Sequence, residues 1–281
     1  MNINHFGTLY VVATPIGNLQ DMSPRAIEAL KSVNCIAAED TRHSAPLLQH
    51  FMINTVTIAL HEHNERERAV KLLERLHRGE SIALISDAGT PLISDPGYFL
   101  VREARKAGIR VVPIPGPSAV IAALSVSGLP TDKFCYEGFL PAKSKHRLEQ
   151  LEQLKNETRT MIFYEAPHRV LESLQDMLQI FGSLREVVIA RELTKIYETI
   201  HSAALVELIE WVKNDENQQR GEIVLMVKGS EIAPTAVDAI SIDHILTTLL
   251  ADLPLKQAVE LTTKITNKRK NEIYQRALQL K

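Results

Sequence analysis

Three times in its N-terminal half, the chain runs a short apolar stretch into a turn of proline, glycine and small polar residues. Residues 9–13 lead into Thr14-Pro15-Ile16-Gly17-Asn18, and residues 109–114 into Pro115-Gly116-Pro117-Ser118-Ala119. Residues 81–85 lead into the longest turn, Ser86-Asp87-Ala88-Gly89-Thr90-Pro91-Leu92-Ile93-Ser94-Asp95-Pro96-Gly97. An apolar run that stops in such a turn reads as a buried strand delivering a loop to the carboxyl edge of a sheet. Ligands bind at that edge in open α/β sheets, so three loops of one design predict a single cleft. Asp87 stands where a ribose or a cationic group would be met.

Around these loops the pattern alternates. Strand-like runs at 9–13, 35–38, 55–60, 82–85 and 111–114 are interleaved with helical segments at 24–32, 65–79 and 97–106. That order predicts an α/β layer with a largely parallel sheet. After a helix-compatible segment at 118–127, a second series carries runs at 134–139, 160–164, 187–190, 197–201 and 223–227, with helices near 143–155, 170–181 and 203–212. It predicts a second α/β domain with more hairpin-like pairing. Beyond the linker-like stretch 229–235, helical periodicities at 242–251, 255–265 and 268–280 make a small module with a tight turn at Thr266-Asn267. The domains are therefore expected at 1–117, 118–230 and 236–281.

With 281 residues, 45% of them hydrophobic, the chain can build more than one core. Its net charge of −2 conceals an asymmetry, because residues 254–281 carry a balance of +5 and leave about −7 on the rest. Cys35 and Cys135 sit far apart in apolar settings, without metal-ligand or redox spacing, and are expected to be reduced core residues. The first residues lack a signal-peptide pattern, and no apolar run approaches the roughly 18 residues of a membrane span. A soluble cytoplasmic protein with no membrane partner is expected.

No Gly-x-Gly-x-x-Gly or Walker-type loop follows any predicted strand, which argues against an ordinary dinucleotide or P-loop site. The acidic pair Glu39-Asp40 with Arg42, and the run His61-Glu62-His63-Asn64-Glu65, follow apolar strands instead. A His-x-His spacing without a third ligand suits hydrogen bonding better than a metal, and no metal is expected. Lys264, Lys268, Arg269 and Lys270 surround the last turn, a placement that suits phosphate contact in helix-turn-helix modules.

The motifs at 14–19, 38–42, 61–65, 86–97 and 115–119, with Tyr136-Glu137-Gly138-Phe139-Leu140-Pro141, Pro167-His168-Arg169 and Ala190-Arg191-Glu192-Leu193-Thr194-Lys195, span essentially the whole chain in order. Together they resemble the ribosomal-RNA-modifying branch of the tetrapyrrole-methylase-like superfamily, the class III methyltransferases. The resemblance implies two α/β domains of tetrapyrrole-methylase type, S-adenosylmethionine (SAM) folded into the cleft between them, and a C-terminal RNA-binding module. For the cofactor it implies Asp87 with Gly89, Thr90 and Pro91, the Gly116, Pro117 and Ser118 turn, the first loop at Thr14, Pro15 and Gly17, and Tyr164 and Leu193 from the second domain. Ser86 stands where tetrapyrrole methylases usually have glycine, which favours the ribosomal branch. The implied reaction is methylation of a cytidine 2′-hydroxyl in the decoding region of 16S rRNA, in the assembled small subunit, by a homodimer.

Four groups offer themselves as proton acceptors for that chemistry: Glu165, Glu192, Asp40 and His168. Arg42, Arg169, Arg191 and Lys195 are the donors that could orient the nucleotide, with Lys268, Arg269 and Lys270 on the tail. Two other functions share parts of this pattern. A methylase of a small molecule or a protein, of precorrin or diphthine type, would not need the basic tail. A non-catalytic ribosome-assembly factor would not need intact loops at Asp87 and Ser118.

Overall fold

The computed structural model describes residues 6–231, 235–266 and 270–280. These divide into two compact units, one holding both sheets and the other holding the C-terminal helices.

The first sheet joins β1 (Thr8–Val12), β2 (Cys35–Ala38), β3 (Thr57–Ala59), β4 (Ile82–Ile85) and β5 (Arg110–Ile114) in the order β3-β2-β4-β1-β5, every pair parallel. Strands buried on both faces need no polar alternation, and β2 and β4 are buried at every position. Ala83 and Ile85 face one layer with α1 (Pro24–Ser32) and α2 (Thr41–His50), while Ile82 and Leu84 face α3 (Glu65–His77) and α4 (Tyr98–Lys106). From β1 the chain crosses β4 to reach β2, and from β4 it crosses β1 to reach β5. The two crossovers leave in opposite directions on opposite faces, which opens a crevice beyond the carboxyl ends of β1 and β4.

Of the first-domain helices, α2 is not among those the periodicity predicts. Pro46 lies in its second turn, and an interior proline removes a hydrogen bond and reads as a breaker. The helix forms nonetheless because the Asp40 side chain caps its N-terminus, accepting from the Arg42 amide at 2.8 Å.

The second sheet is mixed. β6 (Phe134–Phe139) runs parallel to β7 (Thr160–Glu165), while β10 (Ile223–Val227), β8 (Glu186–Arg191) and β9 (Thr199–Ala204) pair antiparallel, in the order β6-β7-β10-β8-β9. On one face α5 (Ala119–Val126) packs Val120, Ala123 and Leu124 onto Ile162, Val188, Val224 and Met226. Ile16, from the loop after β1, joins this same core and ties the two halves together. Cys135, expected in the core, is only partly buried because β6 is an edge strand. Three helices complete the half: α6 (Ser144–Leu154), α7 (Val170–Phe181) and α8 (Leu205–Asn214).

The C-terminal unit holds α9 (Thr235–Asp252), α10 (Leu255–Thr266) and α11 (Lys270–Gln279) around Ile242, Leu246, Val259, Ile273 and Ala277. A bidentate ion pair from Arg276 to Asp243 clamps α11 to α9.

One buried charge fastens α6 to α7. The Arg147 side chain is 1% exposed, and its Nε donates to Asp176 Oδ2 at 2.6 Å. Removing one partner of such a pair leaves the other charge buried and uncompensated, so Arg147→Ala is expected to cost about 3–5 kcal/mol. The measurement is the midpoint of urea unfolding; Arg147→Met, which keeps the volume, should lose no more than Arg147→Ala.

Candidate cofactor and active site

The three loops identified in the sequence meet at the crevice. Thr14 and Gly89 exchange both backbone hydrogen bonds, at 2.9 and 3.1 Å, which joins the loops after β1 and β4. Thr90 Oγ1 donates to the Pro117 carbonyl at 2.9 Å, which joins the loops after β4 and β5. Gly89 has φ +78°, so a larger residue there would be strained by its backbone, and its Cβ, 3.2 Å from the Ile16 side chain, would require that side chain to shift.

The far end of the long loop is held as firmly. Leu92 and Ser94 adopt positive φ, 74° and 66°, a conformation non-glycine residues take only where surrounding contacts impose it. Those contacts are visible: Ser94 Oγ lies 2.7 Å from the Tyr136 hydroxyl, and Glu65 Oε1 accepts the amides of Gly97 and Phe99 at the start of α4.

The loops enclose a cavity of about 440 Å3. Its apolar wall comes from Ile16, Phe139, Tyr164, Leu193 and Val224, and its polar wall from Glu39, Asp87, Asp95, Glu165 and Glu222. Among the described residues no Lys, Arg or His lines it. Burial pushes the Asp95 carboxyl up to about 6, Glu39 and Asp87 add to the rise, and a hydrogen bond from Ser86 opposes it. Glu39 is also raised, first by burial, although the Asp87 amide donates to its Oε2 at 3.2 Å. Asp87 Oδ1 in turn accepts the Asp40 amide at 3.1 Å. The cavity is therefore a negatively charged, half-apolar site that favours a cationic ligand with a flat apolar part.

Asp87, Gly89, Thr90, Ser118, Tyr164, Leu193 and Glu165 all line the cavity. Thr14, Pro15, Gly17, Pro91, Gly116 and Pro117 stand behind it and shape the loops. A Cβ on Gly116 would press on Ala13 at 3.0 Å, and one on Gly17 would lie 2.5 Å from Lys195 Cγ. Thr14 Oγ1 is buried with no hydrogen-bond partner among the described residues, which leaves an acceptor and donor unspent beside the site.

The four sequence-derived proton acceptors are placed differently. Asp40 caps α2 and pairs with Arg42 at 2.7 Å, and the Arg42 guanidinium holds its carboxyl well below the usual carboxylate range. Glu165 is 3% exposed; its oxygens accept from Ser173 Oγ at 2.5 Å and the Ala166 amide at 2.7 Å, with Arg169 at 3.2 Å. Glu192 accepts from Lys195 at 2.8 Å and the Glu222 amide at 2.9 Å. His168 is exposed and is not among the cavity residues.

Arg191, read from the sequence as a nucleotide donor, is 7% exposed and spans β8 to the neighbouring turns, donating to Gln218, the Tyr197 carbonyl and Thr199. Its guanidinium is consumed inside the fold, so it does not reach a substrate. Arg42 is the opposite case, with its side chain 90% exposed. Lys268 and Arg269 lie outside the described residues, and Lys270 is exposed at the start of α11. The sequence alone did not mark Asp95 and Glu39 as site groups, although both stand in motifs it singled out: Glu39 directly follows β2, beside Asp40, and Asp95 closes the long turn that Asp87 opens.

Residues 8–209 match the family described as tetrapyrrole (corrin/porphyrin) methylases, and residues 236–281 match the RsmI C-terminal HTH domain. The chain is 58% identical to ribosomal RNA small subunit methyltransferase I of Pseudomonas aeruginosa, over 97% of each chain. It is 55% identical to the protein of that name in Escherichia coli O157:H7, over 98% of this chain and 96% of the relative. Among solved structures it is similar to uroporphyrin-III C-methyl transferase from Thermus thermophilus complexed with S-adenyl homocysteine, with a TM-score of 0.54, 16% identity, and coverage of 79% of this chain and 97% of that one.

The residues present fit SAM as the cofactor: the carboxylates of the cavity wall would suit its sulfonium and ammonium, and the apolar residues would suit its adenine. Asp87→Ala is expected to weaken SAM binding while leaving the unfolding transition in place. Titration calorimetry checks this, and wild-type affinity would remove Asp87 from the site.

Proposed function

The chain belongs to the ribosomal RNA small subunit methyltransferase I family, built on the tetrapyrrole methylase fold, and from that membership we propose that it methylates the ribose 2′-hydroxyl of a cytidine in the decoding region of 16S rRNA. It acts in the cytoplasm as a homodimer, with the assembled small subunit as substrate.

SAM supplies an electrophilic methyl on a positively charged sulfur. The chain's part is to hold a ribose hydroxyl in line with that methyl, and alignment of this kind can be worth about 7–11 kcal/mol of barrier. Asp87, Gly89, Thr90 and Ser118 hold the cofactor side, while Tyr164 and Leu193 close over its apolar part. Arg42 and Arg169 are the candidate donors toward the nucleotide.

The observation that carries this reading is the separation of charge. Three of the five carboxylates on the cavity wall, Glu39, Asp87 and Asp95, have no cationic partner among the described residues, so the wall disfavours a phosphate backbone and the grip on the RNA is placed away from it. The C-terminal module supplies the complementary sign. Lys264 pairs with Glu260 at 3.3 Å and Arg276 is clamped to Asp243, and the candidate phosphate contacts are Lys270, exposed at the start of α11, with its sequence neighbours Lys268 and Arg269.

Mass spectrometry of 16S rRNA fragments from cells lacking the protein tests the proposal: one ribose methyl on one cytidine should be missing and should return on complementation. An unchanged methylation map would overturn it. For the tail, changing Lys268, Arg269 and Lys270 together to Ala should lower RNA affinity and reduce the salt slope by about 0.7–0.9 per lost contact, with SAM affinity unchanged. An unaltered salt slope would show the tail to be a plain solvated helix.

A further inference from the structure

We propose that Asp95 accepts the proton of the ribose hydroxyl during methyl transfer. The inference rests on the reading above, that the acceptor is a 2′-hydroxyl. It begins from the fates of the other carboxylates. Asp40, Glu165 and Glu192 are each tied to a cation and to a backbone amide. On the cavity wall, Glu222 pairs with Lys195 at 3.1 Å, Glu39 accepts the Asp87 amide, and Asp87 accepts the Asp40 amide. Asp95 lines the same wall with only the Ser86 hydroxyl on it and no cationic partner among the described residues.

The groups that face Asp95 come from four strands or the turns that follow them. Ser86 and Asp87 follow β4, Glu39 follows β2, Tyr136 belongs to β6 and Tyr164 to β7. None is positive. An acceptor of ordinary carboxylate basicity is a poor base for a hydroxyl, whereas one raised to about 6 is ionised at neutral pH and still basic enough to take a proton in the transition state. The loop that carries it is held in place by the positive-φ residues Leu92 and Ser94 and by the Ser94–Tyr136 contact, so the carboxylate is positioned before substrate arrives.

The charges also balance across the step. The hydroxyl oxygen attacks the methyl carbon and forms the new C–O bond. The carbon–sulfur bond breaks with its electron pair going to sulfur, which becomes a neutral thioether. The O–H pair stays on oxygen, and the proton goes to the Asp95 carboxylate and then to solvent. The positive sulfur that favours the ionised carboxylate thus disappears as the carboxylate is neutralised, and the step leaves the net charge of the cavity unchanged.

The test is single-turnover methylation of purified small subunits at saturating SAM by wild-type protein, Asp95→Asn and Asp95→Ala. Asp95→Asn should lose about 10²–10⁴-fold. The wild-type rate should climb with pH to a plateau, reached below the value of about 6 that holds without the cationic cofactor, a limb the variant lacks, and formate should partly restore Asp95→Ala. Thermal unfolding reports on the fold. Because the native carboxyl holds its proton to higher pH than the unfolded one, ionisation destabilises the native state as pH rises, so Asp95→Asn should melt higher than wild type above pH 6 and lose that advantage toward pH 4. A near-wild-type rate in Asp95→Asn overturns the proposal, as does a loss that excess SAM repairs, which would make Asp95 a cofactor ligand. Absence of ribose methylation by the wild-type protein would overturn the parent reading instead, and is distinguishable because it appears without any substitution.

Discussion

The reciprocal backbone hydrogen bonds between Thr14 and Gly89 are the contact on which the site depends. Parallel pairing of β1 with β4 ends at the sheet edge, and beyond it two loops of this length would diverge into solvent. The bridge keeps them together, and Thr90 on the Pro117 carbonyl adds the third loop. Because Ile16 leaves this bridged loop to enter the core under the second sheet, the same few residues fix the loops and bring the halves together around the cavity. Gly89 is the residue that permits it, since its positive φ would strain any side chain and Ile16 lies close beside it.

Electrostatics divides the molecule by task. Carboxylates that serve the fold are partnered: Asp40 caps α2, Glu65 caps α4, Asp176 holds Arg147, and Glu165 is enclosed by Ser173 and Arg169. Those left on the cavity wall, Asp95 and Glu39 above all, are raised by burial and by neighbouring carboxylates, Asp95 by Glu39 and Asp87, and Glu39 by Asp87 and Glu62. Such an arrangement costs stability when empty, and a cationic cofactor offsets that cost. The net positive charge of the chain lies instead in residues 254–281, where the sequence carries a balance of +5.

Much of this was legible in the chain because the relevant signals are local. Burial patterns and turn residues give β2, β4, α1, α7 and β10 their bounds within the sequence itself, and the Asp87, Gly89 and Ser118 loops announce a ligand edge. Where a long-range contact overrides a local signal, the sequence misleads. Arg191 sits in a charged motif that suggests substrate contact, yet its guanidinium is absorbed by Gln218, Tyr197 and Thr199, residues that follow it in the chain and fold back around it.

By itself, then, the order of residues determined the alternation of strands and helices, the edge at which a ligand binds and the basic character of the C-terminal module, since each depends on periodicity, turn chemistry or composition. Only the tertiary structure decided which carboxylates are spent on partners and which remain on the cavity wall. Asp40 and Asp95 are the same residue type in equally conspicuous motifs. One meets Arg42 two residues away and is silenced, while the other meets Glu39 and Asp87, brought to it by the neighbouring strands β2 and β4, and the balance of desolvation and pairing that sets a carboxylate's basicity exists only once those strands lie side by side.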